Sequence, residues 1–179
     1  MTINTNQPTR IFLKDYKAPS FSVQSIDLYF NLHEKETKVK AKQSIEKLEE
    51  VPLVLNGEGL KLLSIRIDGK ELLASEYFVT EDSLTIRTVP DYFTLETIVE
   101  INPEENKACE GLYLSNGIFA TQCEAEGFRN ITYFLDRPDV MTSYTVSIEA
   151  DKKKYPVLLS NGDLISKKQI GHGRHVAVW

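Results

Sequence analysis

The sequence predicts an all-β fold, a sandwich or an open barrel. Apolar residues recur with period two along most of the chain. Proline and Asp-Gly or Asn-Gly punctuation separates these runs into many short strands. No helical periodicity persists beyond about two turns, and there is no internal repeat.

The first twenty residues read as an irregular arm, interrupted by Pro8 and Pro19, and a β domain is expected over 21–179. Ile26, Leu28, Phe30 and Leu32 alternate with Asp27, Tyr29 and Asn31, so the apolar set shares one face of a strand. After a polar connection at His33-Glu34-Lys35-Glu36, Val39, Ala41, Gln43 and Ile45 alternate with Lys38, Lys40, Lys42 and Ser44. That strand has one wet face, and its lysines read as protection of a sheet edge. Leu63, Ile65 and Ile67 lead into Asp68-Gly69, a pair suited to a tight hairpin. Leu84 and Ile86 form a short strand before Pro90. Phe93, Leu95, Thr97, Val99 and Ile101 form another, ended by Pro103. Tyr144, Val146, Ile148 and Ala150 continue the pattern. Leu158 to Asp163 reads as a strand entering a turn, and Val176 and Val178 open a last strand that the end at Trp179 cuts short.

The chain has 179 residues, enough for one domain with a core of its own. Its net charge of −5 runs against nucleic-acid binding, which draws on Lys and Arg at phosphates. The densest basic run, Lys152 to Lys154, reads as a solvated turn. No apolar stretch approaches the roughly 20 residues of a membrane span. No secretory signal is visible at the start, which predicts a cytoplasmic protein. Cys109 and Cys123 are accordingly expected to be reduced, at least one of them buried.

The alternation breaks between Cys109 and Pro138, where apolar, aromatic and charged residues crowd together. Such departures mark functional or strained segments. Glu124 and Glu126 fall within the separation of roughly 5 to 9 Å that a glycosidase pair needs. The spacing is common by chance, and one surface carboxylate beside one partnered by Arg129 or Arg137 is the preferred reading. His172 and His175, flanked by Gly171 and Gly173, lack a nearby third zinc ligand and read as part of a flexible turn. On spacing alone the chain is an acidic β domain with a carboxylate-rich segment.

The same segment carries a more specific pattern. Thr121-Gln122-Cys123-Glu124, then Arg129, then Asp136-Arg137-Pro138, resembles the signature of M1 (gluzincin) zinc aminopeptidases. The run Gln122 to Arg129 resembles in particular that of the proteobacterial aminopeptidase N branch. Lys14 to Pro19, Leu55-Asn56-Gly57-Glu58 and Tyr155 to Gly162 resemble that branch too, so the likeness extends from about Lys14 to Trp179. Asn130 stands where enterobacterial relatives are expected to have histidine.

The resemblance implies a twisted, saddle-like antiparallel β-sandwich, the N-terminal domain of an exopeptidase of the membrane alanyl aminopeptidase type. It implies that Gln122 and Glu124 line the first specificity pocket and hold the α-amino group of a peptide substrate. Arg129 and Asp136 are read as the loop's structural support. The family's His-Glu-x-x-His zinc motif and Gly-Ala-Met-Glu-Asn segment are absent from the sequence. The chain is therefore expected to stop before its last strands and before the catalytic domain that it contacts, to hold no catalytic residue or metal ligand, and to be inactive alone. Zinc is expected in the full-length enzyme and not in this fragment, with no nucleic-acid or membrane partner. The alternative is a free-standing β-sandwich module that binds carbohydrate or protein.

Overall fold

The structure is a computed structural model that describes residues 12–179. Residues 1–11, most of the expected arm, lie outside the described residues. The rest of the arm holds a short 3-10 turn, Leu13–Asp15. The strands are β1 Phe21–Asn31, β2 Thr37–Lys47, β3 Leu53–Asn56, β4 Lys61–Ile67, β5 Lys70–Glu71, β6 Tyr77–Val79 and β7 Ser83–Ile86. They continue as β8 Tyr92–Ile101, β9 Gly111–Ser115, β10 Ile118–Gln122, β11 Ser143–Asp151, β12 Ser166–Gly171 and β13 Arg174–Val178.

An eight-stranded sheet runs β12-β13-β11-β1-β2-β8-β4-β5, beside a three-stranded sheet β3-β7-β6 and a β9-β10 hairpin. Pairing is antiparallel except between β1 and β11, which run parallel. The alternation explains the layers. Ile26, Leu28 and Phe30 of β1, Val39, Ala41 and Ile45 of β2, and Phe93, Leu95 and Val99 of β8 all turn to one face. They share a core with Leu53 and Leu55 of β3 and with Leu84 and Ile86 of β7. Burying each such side chain contributes about 1.5–3 kcal/mol, gross of ordering entropy. On the large sheet's other face, Lys40 pairs with Glu96 at 2.9 Å and Lys61 with Glu100 at 2.8 Å. Exposed pairs of this kind add little stability each.

Several sequence expectations are corrected. Lys38, Lys40 and Lys42 do not guard an edge, because β2 lies between β1 and β8. Their alternation reports a solvated face and says nothing about neighbours. Leu63 is not on the core face: the register shifts between Leu62 and Ser64 on β4, and Leu62 packs inward instead. Residues 158–163 form no strand; Leu158 is buried while Val157 and Leu159 are exposed. The last strand starts at Arg174, paired with β12, which periodicity had missed. His172 and Gly173, both at positive φ, turn the chain between them, so the two histidines belong to a hairpin. Among the described residues no helix is long and apolar enough to cross a membrane.

Candidate functional site

β9 and β10 form a hairpin turned at Asn116 and Gly117, whose φ values of 50° and 77° suit a primed turn. β10 ends at Gln122, and the chain then folds back sharply, with Gly127 N–H donating to the Cys123 carbonyl at 2.8 Å. A 3-10 turn, Phe128–Asn130, follows. Gln122 and Glu124 are both exposed. The Gln122 side-chain amide donates to the Glu124 carbonyl oxygen at 3.3 Å. The peptide bond between Glu124 and Ala125 is cis. Among the described residues nothing forms a hydrogen bond or ion pair with the Glu124 carboxylate. Glu126, in contrast, is 3.1 Å from Arg129 Nη2. The two glutamates therefore lie in a turn, one of them engaged by arginine, and do not face each other along a strand.

Close backbone approach holds the turn. A Cβ on Gly127 would lie 2.6 Å from the Gln122 carbonyl oxygen and 3.0 Å from Cys123 Cα, so glycine is required there. Phe128 meets Phe134 edge-on at 5.0 Å and Tyr144 of β11 at 5.9 Å. These contacts tie the turn to the large sheet.

Beneath it, Asp136 Oδ2 accepts from Arg129 N at 3.1 Å and from Arg129 Nε at 3.0 Å. Arg129 Nη2 donates to the Asp136 carbonyl at 3.2 Å. The guanidinium also stands 3.7 Å from Glu58. Burial pulls the Arg129 pKa down, but the Asp136 hydrogen bond and the charges of Glu126, Asp136 and Glu58 outweigh it and hold the pKa above its ordinary value. Burial, and then the Asp136 charge, push the Cys123 thiol pKa up. That keeps it protonated near neutrality and a poor nucleophile. Cys109 is exposed, Cys123 is half-buried, and both are free thiols.

The structure thus gathers Gln122, Glu124, Arg129 and Asp136 into one unit, with the first two displayed and the last two beneath. Carboxylates outnumber the single guanidinium, so the surface attracts a cation. Glu124 offers unused acceptor oxygens, and Gln122 adds an amide that both donates and accepts. His175 stands apart on β13, its Nε2 at 2.8 Å from the Tyr155 carbonyl oxygen. Sequence reasoning missed Gln43, Asn56 and Glu58 as supports of this unit. Asn56 and Glu58 had entered only within the Leu55-Asn56-Gly57-Glu58 run of the family resemblance, and Gln43 only as an inward position on a strand.

Residues 16–179 match the family described as the Peptidase M1 N-terminal domain. The chain is 51% identical over 179 residues to aminopeptidase N of Caulobacter vibrioides, covering 99% of this chain and 21% of that protein. It is 46% identical over 177 residues to aminopeptidase N of Escherichia coli, covering 98% and 20%. Among solved structures, aminopeptidase A of Legionella pneumophila in complex with aspartic acid superposes with a TM-score of 0.89 at 36% identity, over 93% of this chain and 20% of that one. An M1 zinc metallopeptidase from Deinococcus radiodurans, bound to a Tyr-Ser-Ala substrate, shares the fold with a TM-score of 0.75 at 15% identity, over 89% and 39%. The chain spans about a fifth of the length of the two aminopeptidase N relatives.

Proposed function

The chain belongs to the M1 peptidase family, as an N-terminal domain of the aminopeptidase N kind, and from that premise we propose that its Gln122–Glu124 turn recognises the free amino end of a peptide. In this reading the full-length protein is a zinc exopeptidase of the membrane alanyl aminopeptidase type. The domain described here packs against the catalytic domain and lends it the turn. The observation that carries the reading is Glu124 itself, exposed beside Gln122 on a turn anchored from below and unengaged among the described residues.

The chemistry follows from what an exopeptidase must distinguish. An internal peptide bond and a terminal one differ chiefly in the ammonium beside the latter. A carboxylate in a cleft closed off from water attracts an ammonium more strongly than it would in bulk solvent. It also forms short charge-assisted hydrogen bonds with the ammonium. Gln122 contributes a further acceptor and the wall of the first specificity pocket. Among the described residues no three His, Cys, Asp or Glu side chains gather to hold a metal. In this proposal zinc belongs to the catalytic domain, and the chain alone is inactive.

The test is Glu124→Gln in the full-length protein. Losing a desolvated charge-assisted contact of about 3 kcal/mol lowers kcat/KM on the order of a hundredfold. Unchanged kinetics would sink the reading. The free-standing binding module has no comparable observation in its favour. The depression lined by Asn31, His33, Lys35, Glu36 and Lys38 offers no aromatic platform for a sugar.

A further inference from the structure

Resting on the amino-end reading above, we infer that Asn56, at the end of β3 in the small sheet, is a positioning residue for the Gln122–Glu124 turn. Its main chain bridges Phe134 in both directions, with Asn56 N–H to the Phe134 carbonyl at 2.8 Å and Phe134 N–H to the Asn56 carbonyl at 3.1 Å. Its side-chain Oδ1 accepts from Asp136 N–H at 3.2 Å. Asp136 in turn holds Arg129 by main chain and side chain. Arg129 is two residues beyond Gly127, which closes the turn on Gln122 and Cys123. Asn56 thus reaches the recognition residues through hydrogen bonds to Asp136 and Arg129, the two chain steps from Arg129 to Gly127, and the close backbone contacts of Gly127.

The next two residues strengthen the clamp. A Cβ on Gly57 would lie 2.3 Å from two ring carbons of Tyr133, so the glycine lets that ring approach the backbone closely. Glu58 N–H donates to the Arg129 carbonyl at 3.0 Å. From the opposite side, Gln43 of the large sheet donates to the Tyr133 carbonyl at 2.9 Å. The segment 129–136 is held between the two sheets, and the turn inherits its position from both. A recognition geometry tolerates misplacement of only about 0.5 Å before affinity for the reacting end is lost. Asn56 does not touch the displayed face, so its influence is indirect.

A double-mutant cycle in the full-length protein separates positioning from general damage. The variants are Asn56→Ala, Glu124→Gln and the pair, assayed on a free-amino aminoacyl anilide, with the urea midpoint of each measured alongside. The expected result is about a tenfold fall in kcat/KM for Asn56→Ala in the parent and less than a twofold fall in the Glu124→Gln background. A rise in KM is expected to dominate the loss. Equal falls in both backgrounds overturn the inference, as does no fall in the parent. A Glu124→Gln variant with parental kinetics overturns the amino-end reading instead, so the two failures are distinguishable. Asn56→Ser, which like Asn56→Ala keeps the main-chain bridge to Phe134 but retains a shorter side-chain oxygen, carries the same cycle if Asn56→Ala yields no folded protein.

Discussion

Arg129→Met in the 179-residue chain tests whether one guanidinium holds the turn to its base. The substitution keeps most of the apolar stem and removes the charge. The Arg129 and Asp136 side chains are 16% and 11% exposed, so the pair is nearly buried. Removing one partner of a buried pair costs roughly 3–5 kcal/mol, because the remaining charge is left in a poor solvent. Asp136 keeps the main-chain donor of residue 129 at 3.1 Å, which places the loss at the lower end, about 3 kcal/mol. With a urea slope of about 2 kcal/mol per molar, the unfolding midpoint falls by about 1.5 M. Urea denaturation followed by circular dichroism reads this directly. Asp136→Asn beside Arg129→Met should recover part of the loss, since the stranded carboxylate is gone. A midpoint within about 0.3 M of the parent, or a double variant no better than Arg129→Met, refutes the reasoning.

Gly57→Ala drives a methyl into the Tyr133 ring; overpacking of this kind costs about 1–3 kcal/mol, and thermal melting should show a lower Tm, whereas an unchanged Tm contradicts the close approach. Glu149 is opposed by burial, yet hydrogen bonds from Tyr29 and Arg174 and the Arg174 charge hold its pKa below the usual 4.5. Its contribution to stability is therefore present above about pH 4.5 and is lost as pH falls through the lower folded value. Urea midpoints measured from pH 6 downward should fall more steeply for the parent than for Glu149→Gln, and parallel profiles count against the pairing. The Tyr29 hydroxyl is pushed up to about 12, by burial first and then by Glu149. Its contribution is present below pH 10 and lost as pH rises through about 12, so Tyr29→Phe should flatten the alkaline limb of the same profile.

The sequence made the large sheet legible wherever one face meets the core and the other meets water. β1, β2 and β8 followed from alternation, and the β4–β5 turn from Asp68-Gly69, because those signals are local. β12 escaped since all of its residues are exposed, which leaves no alternation to read. Gln43 sat at an inward position as an apparent exception; the structure places it against the Tyr133 carbonyl, 90 residues away. The parallel β1–β11 pairing and the central place of β2 depend on long-range assembly that periodicity does not encode. Gln122, Glu124, Arg129 and Asp136 were picked out by motif likeness, and chemistry alone had stopped at a carboxylate-rich segment. Asn56 and Glu58 were beyond reach for the same reason as Gln43, since their partners lie 70 or more residues away.

The most direct test is a crystal structure of the full-length protein with a peptide or amino-acid ligand bound. The account predicts the ligand's α-nitrogen within about 2.7–3.0 Å of a Glu124 oxygen, with Gln122 alongside. A ligand amino group held by other carboxylates, with Glu124 turned to solvent or covered by the catalytic domain, would contradict it.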